Sequence, residues 1–211
     1  GVAGNRGWAH FDRSSGMGLT ARRVPELLFA SASLRDDGGV RITGRDGVEL
    51  AGDDALSDWL GRDVELRGVG AVAAPRYENV VDPEDESRGW NAFEGSPSPF
   101  HDSAKAKLTL VSRAALGGWP VRRFRPNLVL SGAGEEALVG TIAEVGGALL
   151  RVGEPVPRCV MVTRPQPGGI EADRDVLRTI ARERGNRLAV GATVERAGPV
   201  TAGDELRVLD A

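Results

Sequence analysis

Val156-Pro157-Arg158-Cys159-Val160-Met161-Val162-Thr163 holds the only cysteine in a chain of 211 residues. It lies between a predicted strand at 148–152 and a Pro/Gly turn region at 165–169. Val160 to Thr163 reads as a further short strand, which places Cys159 where a loop enters a sheet. A thiol in that position is either a small buried hydrophobe or a reactive sulfur. The adjacent Arg158 can favour a thiolate, the form that ligates metal or carries sulfur. The stretch alone leaves both readings open.

The bulk numbers narrow the field. The chain is long enough to bury a sizeable core as one large domain or two small ones. Its 41% hydrophobic and 27% charged content is ordinary for a globular protein. A net charge of −3 offers no electrostatic case for nucleic acid or an anionic membrane. Only two of the 27 basic residues are lysine, Lys105 and Lys107; the arginines supply planar forks suited to phosphate or carboxylate. One cysteine excludes an intrachain disulfide, an all-cysteine zinc site and an iron–sulfur cluster held by this chain alone. No apolar run reaches membrane-spanning length and no secretory signal is visible, so a cytoplasmic protein is expected. The opening Gly1-Val2-Ala3-Gly4 reads as mid-domain sequence.

Short apolar runs bounded by Gly and Asp recur at 27–32, 40–43, 48–50 and 64–66, the spacing of short strands with tight turns. Trp8 to Phe11 alternates weakly. The stretch 53–61 has an acidic start, apolar helical spacing and a Gly stop, which predicts a short helix. From 76 to 99 acidic residues, Pro, Gly and Ser dominate, and the segment is expected to connect two β-rich halves. Beyond it come a strand at 107–111, a short helix capped by Ser112 and closed by Gly117-Gly118, and strands at 128–130, 141–145 and 148–152. The one longer helix falls at 173–184, with Val176, Leu177, Ile180 and Ala181 at helical spacing. Strands at 189–195 and 205–209 finish the chain. The expected class is mainly β, a β-rich α+β chain with two β-barrel-like lobes and a few short helices.

Phosphate-binding motifs are absent: there is no Walker sequence and no GxGxxG opening a helix. His10 and His101 lie far apart, and His101 beside Asp102 points to the opposite face of any strand they share. What remains is the thiol and a set of arginines. Pro126 disfavours the right-handed helical region for Arg125, so 122–127 is expected to be extended, with Arg125 and Asn127 on one face as guanidinium fork and amide. Such a pair can grip an anionic or heterocyclic ligand, or it can be a solvated basic strand end.

Phe124-Arg125-Pro126-Asn127-Leu128-Val129, followed about thirty residues later by Arg158-Cys159-Val160-Met161-Val162-Thr163, resembles the MOSC domain, named for the C-terminal part of molybdenum cofactor sulfurases. Asp175 to Ala181 is similar to the family's "PLRTLA" helix, and 198–206 to its terminal "GxIxVGD" strand. Gly4-Asn5-Arg6-Gly7-Trp8 resembles the "GDRxW" of the β-barrel domain that precedes MOSC, and Leu19-Thr20-Ala21-Arg22 its "TAR" segment. The likeness assigns residues 1–75 to an N-terminal MOSC-associated β-barrel domain cut short at its start, 76–99 to the connection and 100–211 to the MOSC domain.

The resemblance implies a molybdenum–pterin cofactor in a cleft between the domains, with Cys159 as catalytic residue and metal ligand. Arg125 and Asn127 would bind the pterin and its phosphate, Arg158 would contact the cofactor beside the metal, and Arg6 would reach in from the N-terminal domain. Asp102 and Ser103 match the family's short Asp-Ser/Thr element. Relatives such as the amidoxime-reducing component reduce N-hydroxylated compounds. The resemblance therefore implies a small-molecule substrate and, for want of iron–sulfur cysteines or a dinucleotide motif, a separate electron-donor redox protein. Other MOSC domains are proposed to carry sulfur as a cysteine persulfide, which keeps a Cys159 sulfur carrier as an alternative beside a cofactor-free binding protein of MOSC fold. The sequence departs from the family pattern at Asn5, where Asp is usual, at 163–169, which lacks the acid of "TVDPxTG", and at Val156, where a further cysteine often stands. The lysine-bearing "YPVKS" strand has no counterpart in these residues.

Overall fold

A computed structural model describes residues 2–71, 73–82, 86–95, 100 and 105–209. Along the chain the strands and helices are β1 Trp8–Asp12, β2 Ser31–Leu34, β3 Val40–Thr43, α1 Gly52–Leu60, β4 Val64–Gly68, β5 Arg76–Val80 and β6 Trp90–Glu94. They continue with β7 Leu108–Ser112, α2 Arg113–Leu116, α3 Val121–Phe124, β8 Leu128–Leu130, β9 Ile142–Val145 and β10 Ala148–Pro157. The series closes with α4 Asp175–Arg184, β11 Arg187–Arg196 and β12 Leu206–Leu209. This is the β-rich α+β class expected from the sequence. The chain divides into two compact units: an N-terminal unit of Gly4–Asp102 with Gln166–Gly169, and a sheet unit of Gly1–Ala3, Ser103–Pro165 and Ile170–Ala211.

In the N-terminal unit β1 pairs antiparallel with β4, β2 with β3, and β5 with β6. Gly18 joins two of these ladders by bridging to Phe11 on one side and Tyr77 on the other. A Cβ there would run into the Tyr77 ring, so the bridge needs glycine. Helix α1 lays Leu56 against Ile42 and Val64, making a small core that Leu50, Leu60 and Leu66 enlarge. Beside it Phe11, wholly buried, meets the rings of Tyr77 and Phe100.

Three expectations for this unit are corrected. The strand expected at 27–32 is a 3-10 turn, Pro25–Phe29, because Pro25 presets its first residue for a turn; extended chain begins only at Ser31. Val48 to Leu50 contributes a single bridge, Thr43 to Glu49, rather than a strand. The acidic segment 76–99, expected as a connection with Trp90 and Phe93 packing part of it, contains the β5–β6 hairpin in register from Arg76 opposite Glu94 to Val80 opposite Trp90. Arg23 explains part of it: its guanidinium lies 4.5 Å over the Trp90 ring and pairs with Glu78.

His10, on β1, is half-buried, and its Nδ1 has no hydrogen-bond partner among the described residues. Burial holds its pKa below the usual 6.5, with Asp53 opposing. The folded unit therefore keeps His10 neutral at a pH where the unfolded chain already binds a proton. Stability should be level above about pH 6.5 and fall as the pH drops below it toward the folded value. Urea midpoints between pH 7.5 and 5.5 check this: His10→Phe should flatten that slope, and an unchanged slope would mean His10 does not set it.

The sheet unit is built on a curled six-stranded sheet in the order β12-β9-β10-β11-β7-β8. All neighbours are antiparallel except β7 and β8, which run parallel with Leu110 opposite Leu128. The β9–β10 turn is Gly146-Gly147, with Gly146 at φ +53, as a two-residue hairpin loop demands. Strand alternation sends side chains to opposite faces. Leu110, Val145, Leu150, Val152 and Val190 fill one face. Val111, Leu188 and Ala189 lie on the other, covered by Ala115, Leu116, Phe124, Val162, Val176 and Ile180.

Local signals for the helices read true. Ser112 accepts the Ala115 amide at 3.0 Å and Gly117 closes α2 in the left-handed region. Helix α4 puts Val176 and Ile180 into the core and ends at Gly185. Among the described residues no helix is long and apolar enough to cross a membrane.

Candidate functional site

Two segments converge on Arg158. Strand β10 carries proline at 155 and 157, where its register with β11 shifts, a placement that suits residues without an N–H to donate. The chain then leaves the sheet through Arg158 and Cys159 and enters a 3-10 turn, Val160–Thr163. That turn corrects the strand expected there. Its β-branched residues favour a strand, but Thr163 Oγ1 bonds the Val160 carbonyl at 2.8 Å and the Val162 side chain is drawn into the core. Arg123 fixes the turn from outside, donating from Nη1 to the Val162 carbonyl at 2.9 Å and from Nη2 to the Glu171 carbonyl at 2.9 Å.

The second segment is Val121 to Asn127. The sequence reading made it extended; it is instead the short helix α3 followed by a left-handed Arg125 at φ 51, ψ 47. Pro126 forbids a continued right-handed helix, and the chain answers with one left-handed residue rather than an extended run. Arg125 and Asn127 therefore do not alternate along a strand. The Arg125 side chain is exposed. Asn127 turns its Oδ1 onto the Thr109 amide at 3.0 Å, while its own amide donates to the Thr109 carbonyl at 3.0 Å, so it starts the β7–β8 ladder where Pro126 cannot. Its side-chain amide nitrogen keeps donors to offer.

Arg158 lies between them. Its backbone N–H donates to the Asn186 carbonyl at 2.9 Å, Nε to the Leu188 carbonyl at 2.9 Å, and Nη1 to the Phe124 carbonyl at 3.4 Å, with the guanidinium 5.7 Å from the Phe124 ring centre. Nη2 is buried and meets no acceptor among the described residues. Desolvation lowers the Arg158 pKa to about 10, and the neighbouring Cys159 works against that fall. Cys159 is a free, exposed thiol, so the buried-filler reading of this cysteine is excluded.

The structure thus brings Arg158, next to Cys159, onto the Phe124 carbonyl that precedes Arg125, while Asn127 is anchored on Thr109. Arg6 belongs to the N-terminal unit, where it is left-handed at φ 57 and its Nη1 donates to the Phe100 carbonyl at 3.4 Å. Asp102 and Ser103 lie outside the described residues. Among the described residues no group of three His, Cys, Asp or Glu side chains could hold a metal. Sequence reasoning missed the carbonyls of Phe124, Asn186 and Leu188 that hold Arg158. Backbone acceptors leave no mark in residue types.

Comparison with known proteins gives one family. The MOSC domain model matches residues 96–207. No curated protein matches. Among solved structures, the crystal structure of YiiM from Geobacillus stearothermophilus is similar at 17% identity and a TM-score of 0.41, over 50% of this chain and 55% of that one. The present chain thus spans little more than half the length of that protein. The family match covers more than half of the chain and takes in Arg125, Asn127, Arg158 and Cys159 together: the chain belongs to the MOSC domain family.

Proposed function

We propose that this protein binds a molybdenum–pterin cofactor through Cys159 and reduces N-hydroxylated small molecules with electrons from a separate redox protein. The observation that carries the reading is the pairing at the end of β10 of an exposed thiol with a backbone-clamped arginine that has one nitrogen to spare. The donor set suits the group. A soft thiolate is a fitting ligand for molybdenum, and arginine forks suit a terminal phosphate.

A bound cofactor of this kind would supply two-electron redox chemistry suited to removing oxygen from an N–O bond. The chain's own residues bind and orient it. Cys159 would hold the metal, Arg158 would offer Nη2 to the cofactor, and Arg125 and the Asn127 amide nitrogen would offer donors to the pterin and its phosphate. Arg6, Asp102 and Ser103 are the further positions that the family pattern assigns to cofactor binding.

Metal analysis of protein from a cofactor-competent host, with fluorescence of the released oxidised pterin, tests the reading. Wild type should carry near-stoichiometric molybdenum, and Cys159→Ala should lose most of it, a drop of at least about tenfold. Wild type with neither metal nor pterin would sink the reductase reading. A sulfane sulfur on Cys159 in that metal-free protein would favour the sulfur carrier, which the exposed thiol also suits.

A further inference from the structure

Four non-glycine residues among those described have a left-handed backbone: Arg6, Arg125, Asn186 and Ala189. Three of them bear on one residue, Arg158, two through its side chain and one through its backbone. The Asn186 carbonyl takes the Arg158 N–H, the carbonyl preceding Ala189 takes its Nε, and the carbonyl preceding Arg125 takes its Nη1. Asn tolerates this conformation and a residue before proline is pushed out of the right-handed helix. Ala189 has neither excuse. It is 1% exposed, sits inside β11 at φ 71 and has no polar side chain to compensate.

The sheet shows what Ala189 does. Opposite β10, Pro155 faces Val190 and Pro157 faces Arg187, so β11 holds one residue more than its partner over this stretch. Leu188 and Val190, two apart, would share a face in a regular strand. They instead fill opposite faces, because the left-handed residue between them reverses the alternation. Such a bulge frees a carbonyl from the ladder and re-aims it, and the carbonyl freed is that of Leu188, on Arg158 Nε.

We propose that Ala189 is a positioning residue: its left-handed bulge turns the Leu188 carbonyl onto Arg158, so that the guanidinium is held with Nη2 as the nitrogen left over for a ligand near Cys159. Only the identity of that ligand rests on the cofactor reading; the clamp does not.

Arginine Nε–H signals of nitrogen-15-labelled protein test it. Arg158→Lys should delete one slowly exchanging signal, which identifies Arg158. Ala189→Gly, which takes positive φ freely, should keep that signal slow. Ala189→Val should speed its exchange at least about tenfold, with the Val190 to Ala192 amides of β11 still protected and molybdenum content down several-fold. A merely structural alanine would, on replacement, loosen those ladder amides in step. The proposal is overturned if the signal stays slow in Ala189→Val, if it is lost in Ala189→Gly, or if Arg158→Lys removes no slow signal. The last two hold even if the valine variant fails to fold. A slow signal in wild-type protein that carries no metal would uphold the clamp while sinking the cofactor reading.

Discussion

Arg123→Ala is expected to lower the stability of the sheet unit by about 3–4 kcal/mol. The side chain is 6% exposed and donates hydrogen bonds to the carbonyls of Val162 and Glu171, both far from Arg123 in sequence. Removing it leaves both carbonyls without their donor and opens a cavity beside Phe124 and Val162. Against this stands relief from burying a charge, but guanidinium is weakly hydrated and its burial correspondingly cheap. The loss of two charge-assisted bonds wins. Arg123→Lys separates the terms: it keeps the charge, yet one ammonium on a flexible stem does not reproduce the fork, and about 2 kcal/mol should still be lost. Urea titration read at Trp119, which packs on Phe124, with the other three tryptophans replaced by phenylalanine, measures both. A loss below about 1 kcal/mol for alanine would mean that the two carbonyls find other donors.

Phe11→Ala should cost the N-terminal unit about 3–5 kcal/mol. The ring is fully buried, meets Phe100 edge-on at 5.9 Å and Tyr77 at 6.5 Å, and lies under the Arg67 guanidinium at 4.7 Å. Its strand is pinned by the β4 ladder and by the Gly18 bridge, so the backbone has little freedom to close the hole. Phe11→Leu keeps most of the volume and should cost about 1–2 kcal/mol, chiefly the aromatic contacts. Thermal unfolding followed by near-ultraviolet circular dichroism checks the pair. Equal losses in the two variants would refute the cavity argument.

Signals carried by single residue types were legible in the sequence. Ser112 and Gly117 bracket α2, Gly185 stops α4, and the apolar runs at 128–130 and 148–152 are strands. Failures came where a distant group outbids local preference. Val160 to Thr163 has strand propensity but turns, with the Val162 carbonyl on Arg123 and the Val162 side chain in the core. Residues 121–125 form a helical turn because Pro126 constrains its neighbour without saying which allowed region it takes. Glu135 is 1% exposed and, among the described residues, neither carboxylate oxygen has a hydrogen-bond partner, where any pattern reading sends glutamate to solvent. At the site, the motif spacing pointed to Arg158 and Cys159 through family likeness. Their physical setting, one half-buried and clamped and the other exposed, comes only from the fold.

The clamp on Arg158 also moves a thermodynamic cost from one event to another. A free arginine side chain carries about 2 kcal/mol of rotamer entropy, which a binding site built on mobile side chains surrenders each time a ligand arrives. Here two carbonyls and an aromatic face have already immobilised the guanidinium during folding, and a third carbonyl holds the backbone it springs from. An anion that reaches Nη2 meets a donor with no rotamers left to lose, so its dissociation rate reflects the contact itself rather than the ordering of the arm that makes it.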